Sequence, residues 1–265
     1  MDCQTILESK VELIKNKKIG RVIFIVEGNK TEVILLKKIF KEVLGYSFVS
    51  HNRESHEFKF INKNDKNSII YVFNSKNSNI SSISDENYLE NQVEGFIRKK
   101  YDSDFAIEYA AVYYLFDRDY KSNDKRNVEN LIDKYTNARD FNDYDNRQGL
   151  LLLSYPAIEA YFLECLQKDY SRFHFDLGKD MKFFVSKRKK NVHKLNHDNV
   201  LKGFTNTVKM IKRMKVKKID LDDFKHTNKT VYDYQEKFLE NSGGYQILSM
   251  LSIALLDLGI IKIKK

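Results

Sequence analysis

The order of apolar and polar positions divides the chain into two unlike parts. Short apolar runs alternate with amphipathic segments up to about residue 170, and helical spacing dominates afterwards. The stretch RVIFIVEGNKTEVILLKKIF, residues 21–40, sets the pattern. Its apolar run, Val22–Val26, ends at Glu27-Gly28, and after a polar break apolar positions recur at Val33, Leu36, Ile39, Phe40 and Val43. This spacing predicts a buried strand over Arg21–Val26, a tight turn carrying a carboxylate, and a helix from Thr31 to Leu44. Gly45 stands where a left-handed residue closes such a helix.

Three further runs have strand length: SIIYVF at Ser68–Phe73, YAAVYYLF at Tyr109–Phe116 and GLLLLS at Gly149–Ser154. Helical patterns lie between and after them, over about 85–101, 125–139 and 157–167, with Pro156 placed for a first helical turn. Residues 5–18 predict a short amphipathic helix with Ile6, Val11 and Ile14 inward. Residues 46–66, including His51 and His56, and the Asn/Ser-rich 74–84 predict loops. Strands alternating with helices indicate an α/β fold: a four-stranded, mostly parallel sheet covered on both faces over 1–170. No strand is predicted beyond that point. The segments 186–215, 221–240 and 244–261 form a basic, mainly helical region, 171–265, either a separate part or an elaboration of the first domain.

Composition narrows the setting rather than the fold. A chain of 265 residues with 42% hydrophobic and 31% charged side chains has ample material for a core. Its net charge of +9, from 46 Lys+Arg against 37 Asp+Glu, suits a polyanionic partner without selecting one. Cys3 and Cys165 form neither a disulfide framework nor a metal-binding pair, which points to a reducing compartment. The N-terminus lacks the basic start and apolar core of a signal peptide, and Ile247–Leu256 is too short to span a bilayer. The expectation is a cytoplasmic protein without a membrane partner.

The candidate chemistry is acidic. Glu27, Asp117, Asp119 and Glu159 fall at or just past the carboxyl ends of predicted strands, and Glu32 lies one turn into the first helix. Open α/β sheets place their ligands at those ends. Residues two apart on an extended segment point the same way, so Asp117 and Asp119 can face one site while Arg118 faces elsewhere. Clustered carboxylates repel unless a cation lies among them, and hard oxygen ligands suit Mg²⁺ or Mn²⁺. Each acid also has a plainer reading, as a turn residue or a first-turn acid complementing a helix dipole. No GxxxxGK[ST] phosphate loop is present, which argues against ATP hydrolysis by that route.

IFIVEGNKTE followed by LFDRDY resembles the Toprim domain, the catalytic module of topoisomerases, bacterial primases and OLD-type nucleases. With LLLSYPAIEAYFL added, the chain is most similar to the stand-alone Toprim nucleases of phage-defence loci, the RloB-like group, over about residues 20–166. The resemblance implies a metal-dependent endonuclease with Glu27, Asp117 and Asp119 as catalytic residues. It also implies Glu27, Glu32, Asp117, Asp119 and Glu159 as ligands of Mg²⁺ or Mn²⁺. Tyr155 stands where that group often carries Asn, a departure from the pattern.

Basic side chains supply the candidate nucleic-acid contacts: Lys30 in the first turn, Lys187, Arg188, Lys189 and Lys190 in one run, and Lys209, Lys212 and Arg213 in another. The aromatics Phe183, Phe184 and Phe204 read as core. The expectation is hydrolysis of phosphodiester bonds in RNA (tRNA among the candidates), slightly ahead of DNA, in anti-phage defence. The alternative is an inactive nucleic-acid-binding or regulatory subunit beside an ATPase partner.

Overall fold

A computed structural model describes residues 1–28, 30–50, 57–75, 83, 87–121, 123–140, 148–187 and 195–264. The chain begins with a helix, Cys3–Glu8, and then strand β1 (Lys10–Leu13), where the sequence predicted one continuous helix over 5–18. Val11 and Leu13 therefore serve a strand, which pairs antiparallel with the last strand of the chain. Strand β2 (Arg21–Val26) follows, then a helix Thr31–Leu36 that continues in the wider π-helical form over Lys37–Val43. Gly45 closes it with φ +85°.

Strands β3 (Ser47–Ser50), β4 (Glu57–Asn62) and β5 (Asp65–Asn74) come next, so the described residues of the predicted loop 46–66 are instead largely sheet. The sequence EFKFIN alternates half-buried and buried positions, the mark of a strand with one covered face. The segment Tyr88–Glu94 is π-helical and runs into a helix Gly95–Lys100. Strand β6 (Ala110–Asp117), a helix Lys125–Lys134, β7 (Thr136–Asn137), β8 (Gly149–Tyr155) and a helix Ala160–Leu166 complete the first part.

Beyond residue 170 the structure contains strands that the sequence did not predict: β9 (His174–Phe175), β10 (Tyr245–Gln246), β11 (Leu248–Ser249) and β12 (Ile261–Lys264). β9, β10 and β11 have two residues each, too short to show a period, whereas β12 alternates as Ile-Lys-Ile-Lys. Among the described residues the α-helices Gly178–Ser186, His197–Arg213, Lys225–Ser242 and Leu251–Asp257 accompany them.

The central sheet has eight strands, in the order β11-β8-β6-β2-β5-β4-β3, with β7 also paired to β8. The four strands read from the sequence, β2, β5, β6 and β8, form its parallel centre. Antiparallel β4 and β3 extend one edge, and β7 and β11 the other. Parallel strands covered on both faces need unbroken apolar runs, and every residue of β6 and β8 is buried. One hydrophobic cluster runs from Cys3 to Ile261, so the core shows no break near residue 170. Among the described residues no helix is long and apolar enough to cross a membrane.

Candidate active site

The chain leaves β2 for β5 on one side and later returns to β6 on the other, which puts the reversal of strand order between β2 and β6. Carboxyl ends at such a reversal splay apart and open a crevice. Glu27 follows the last residue of β2 and Asp117 ends β6, one on each side of it. Glu27 Oε2 accepts the backbone N–H of Asp117 at 2.8 Å, which ties the two strand ends together.

The remaining acids gather around this pair. Asp117 is 5% exposed, and its Oδ1 accepts the N–H of Ile158 at 2.7 Å in the turn that carries Glu159. Glu32 reaches back from its helix to accept the N–H of Gly28 at 3.1 Å. A Cβ on Gly28 would lie 2.5 Å from Glu32 Oε2, so the absent side chain makes room for that carboxylate. Glu159 Oε1 accepts the Thr31 hydroxyl at 2.8 Å, which joins the helix Thr31–Leu36 to the segment after β8. Asp119 accepts the N–H of Lys121 at 3.1 Å and, through Oδ2, that of Gly178 at 3.2 Å.

Burial and mutual repulsion move the proton affinities upward. Burial first, and then the charge of Asp117, raise Glu27 to about 8 and Glu159 to about 7. The same two causes raise Glu32, and burial raises Asp117 itself. Three other carboxylates therefore feel Asp117, and Asp119 acts on Asp117 in turn.

The counter-charge comes from a residue the sequence did not single out. Lys182, on the helix Gly178–Ser186, places Nζ 3.1 Å from Asp117 Oδ2. Burial disfavours its charge, but Asp117 and Glu159 outweigh burial and raise its pKa. Sixty-five positions separate Lys182 from Asp117, so no local spacing reveals the pair. The first helical amide, at Gly178, and Lys182 both reach the Asp-x-Asp segment, so the C-terminal region helps build the site.

Arg118 faces away from the acids, as the extended-chain argument predicts. It is 1% exposed, forms two bonds to Glu236 at 3.0 and 2.9 Å, donates to the Asn123 carbonyl at 3.0 Å, and lies over the Tyr232 ring. Asn123 donates to the Asp117 carbonyl at 2.7 Å, which completes the brace behind the two aspartates.

A hard divalent cation fits this donor set in kind, since all five groups are carboxylates. Glu159 Oε2 is buried with no hydrogen-bond partner, an acceptor left for a ligand to satisfy. Among the described residues, however, no three His, Cys, Asp or Glu side chains already stand grouped to hold a metal ion. The positive charge found against Asp117 is that of Lys182.

The predicted basic contacts are dispersed. Lys30 is exposed just before the helix Thr31–Leu36, and Lys187 lies over the Phe183 ring with Nζ 4.1 Å from its centroid. Lys209, Lys212 and Arg213 are exposed on the helix His197–Arg213, where Lys212 donates to Gln4, away from the contacts of the acid cluster. Arg188, Lys189 and Lys190 lie outside the described residues, as do His51, His56, Asp85 and Glu86. Phe184 and Phe204 pack inward, but Phe183 is 62% exposed, contrary to its reading as core. A cavity of about 440 Å³ bounded by Glu90, Glu94, Arg98 and Glu108 shares no residue with the acid cluster.

Comparison with protein-family models, with curated proteins and with solved structures gives no match.

Proposed function

We propose that the acid cluster is the centre of a metal-dependent nuclease of Toprim type that hydrolyses phosphodiester bonds, in RNA ahead of DNA. The observation that carries this reading is the bond from the Asp117 amide to Glu27 across the β2/β6 reversal, with Glu32, Asp119 and Glu159 close enough to exchange electrostatic influence with Asp117. Structural acids rarely remain buried together without a matching number of cations.

Glu27, Asp117 and Asp119, with Glu32 and Glu159, would hold Mg²⁺ or Mn²⁺. When bound, such an ion polarises a phosphate and lowers the pKa of a water. The motif resemblance marks Glu27 as the residue that carries a proton in the reaction. Its Oε2 is engaged by the Asp117 amide, so Oε1 is the atom placed to exchange that proton. Lys182 adds a positive charge suited to anionic phosphate oxygens. The preference for RNA and the placing in anti-phage defence rest on the resemblance of the motifs alone.

The test is cleavage of labelled RNA and DNA by the full chain with Mg²⁺ or Mn²⁺. Wild type should cut, and Glu27→Ala and Asp117→Ala should each lose about a hundredfold or more. Cutting that persists undiminished in both variants, or metal-dependent cutting absent from wild type, removes the nuclease reading. A second reading, a binding or regulatory subunit beside an ATPase partner, draws on the Lys182–Asp117 ion pair, which already neutralises part of the cluster.

A further inference from the structure

We infer that Phe183 and Tyr120 form a stacking rim for unpaired nucleobases beside the acid cluster. The inference rests on the nuclease reading of that cluster for its placement. Five large hydrophobic side chains are exposed among the described residues: Met1, Ile34, Tyr109, Tyr120 and Phe183. Single exposed hydrophobics are ordinary on protein surfaces. Here both aromatics other than Tyr109 are chain neighbours of site residues: Tyr120 follows Asp119, and Phe183 follows Lys182.

Phe183 is held in its exposed position. The helix that carries it begins with the Gly178 amide on Asp119, and Lys182 ties the same helix to Asp117. The next residue, Phe184, packs against Phe173 and Phe175 with ring centroids 5.2 and 5.3 Å apart, which fixes the helix face turned inward. Five residues of helical rise, roughly 7–8 Å, separate Phe183 from the helix end at Asp119. The helix that carries the ring is thus tied to the site at two points.

Charge identifies the occupant. Lys187 Nζ lies 4.1 Å from the Phe183 centroid, and Lys121 Nζ lies 5.7 Å from that of Tyr120. A ring face with an ammonium beside it matches a nucleotide, whose base stacks on the ring while its phosphate meets the cation. A protein partner or a second copy would be better served by a wider apolar patch with fewer cations. Bases inside a duplex are already stacked on each other, so the nucleotide that fits is an unpaired one, in a loop, bulge or single strand.

The test is binding of fluorescently labelled single-stranded, hairpin and fully duplex oligonucleotides to the full chain in EDTA, where no metal-dependent cutting intervenes. Phe183→Ala and Tyr120→Ala should each weaken single-strand and hairpin-loop binding by about five- to hundredfold and leave duplex binding nearly unchanged. Phe183→Tyr should bind like wild type. Both positions are exposed, so thermal melts of the variants should overlay that of wild type. Alanine variants that bind like wild type overturn the inference. So does a wild type that binds no oligonucleotide or prefers duplex, or one that dimerises through Phe183 instead. The two claims separate cleanly. Ring-dependent binding without Mg²⁺-dependent cutting removes the nuclease and keeps the rim, whereas cutting with unchanged binding in both alanine variants does the reverse.

Discussion

Burial and the charge of Asp117 raise the proton affinities of Glu27 and Glu159. In the metal-free folded protein they hold protons up to about pH 8 and about pH 7, against the 4.5 of an unperturbed glutamate. Between the unfolded and folded values the native state binds more protons than the unfolded chain. Stability from these groups is therefore complete below about pH 4.5 and is lost as pH rises through 7 and 8. Glu27→Gln removes the ionisation and keeps an acceptor for the Asp117 amide. In EDTA its melting temperature should exceed that of wild type by an amount that grows between pH 5 and pH 9, to the order of a few degrees. A gap that stays constant across that range would show that Glu27 is not ionising among buried neighbours.

At the scale of elements, the brace behind Asp117 and Asp119 is the Arg118–Glu236 pair, which joins the end of β6 to the helix Lys225–Ser242. Tyr245 adds a hydrogen bond to Glu236 at 2.9 Å. Removing Glu236 leaves a guanidinium buried without its carboxylate. Glu236→Ala should therefore cost about 3–5 kcal/mol in denaturant unfolding, and Arg118→Met combined with Glu236→Leu should cost clearly less. Equal losses in the single and double variants would mean that the pair acts through packing alone.

The elements also show what the sequence could reveal. The four parallel strands were readable because strands buried on both faces produce unbroken apolar runs, as in YAAVYYLF. The β3–β4 hairpin was not, since its alternating pattern lies among charged residues and resembles a polar loop. Glu27, Asp117 and Asp119 could be picked out as candidates because they lie at or within two residues of a strand's end, and Glu159 because it lies in the turn after β8. Lys182 was hidden, because a lysine in a basic stretch reads as solvated until the fold brings it to Asp117.

At the scale of the whole molecule, the region after residue 170 is structurally joined to what precedes it. Strand β11 extends the central sheet along β8, β12 pairs with β1, and Leu251, Ile253, Ala254 and Leu255 are buried in the common core. A chain ending at residue 170 would expose those faces and lose Lys182. It should be insoluble or lack near-ultraviolet circular dichroism, whereas a soluble, cooperatively melting fragment would contradict this joining.

The central claim is that the five carboxylates at the β2/β6 reversal form a divalent-cation site. Mn²⁺ binding to the full chain, followed by electron paramagnetic resonance, tests it directly and does not depend on knowing the substrate. Wild type should bind Mn²⁺, Mg²⁺ should compete for it, and Asp117→Asn should bind at least about tenfold more weakly. Failure of wild type to bind Mn²⁺, or equal binding by Asp117→Asn, would leave Lys182 as the cluster's cation and contradict the account.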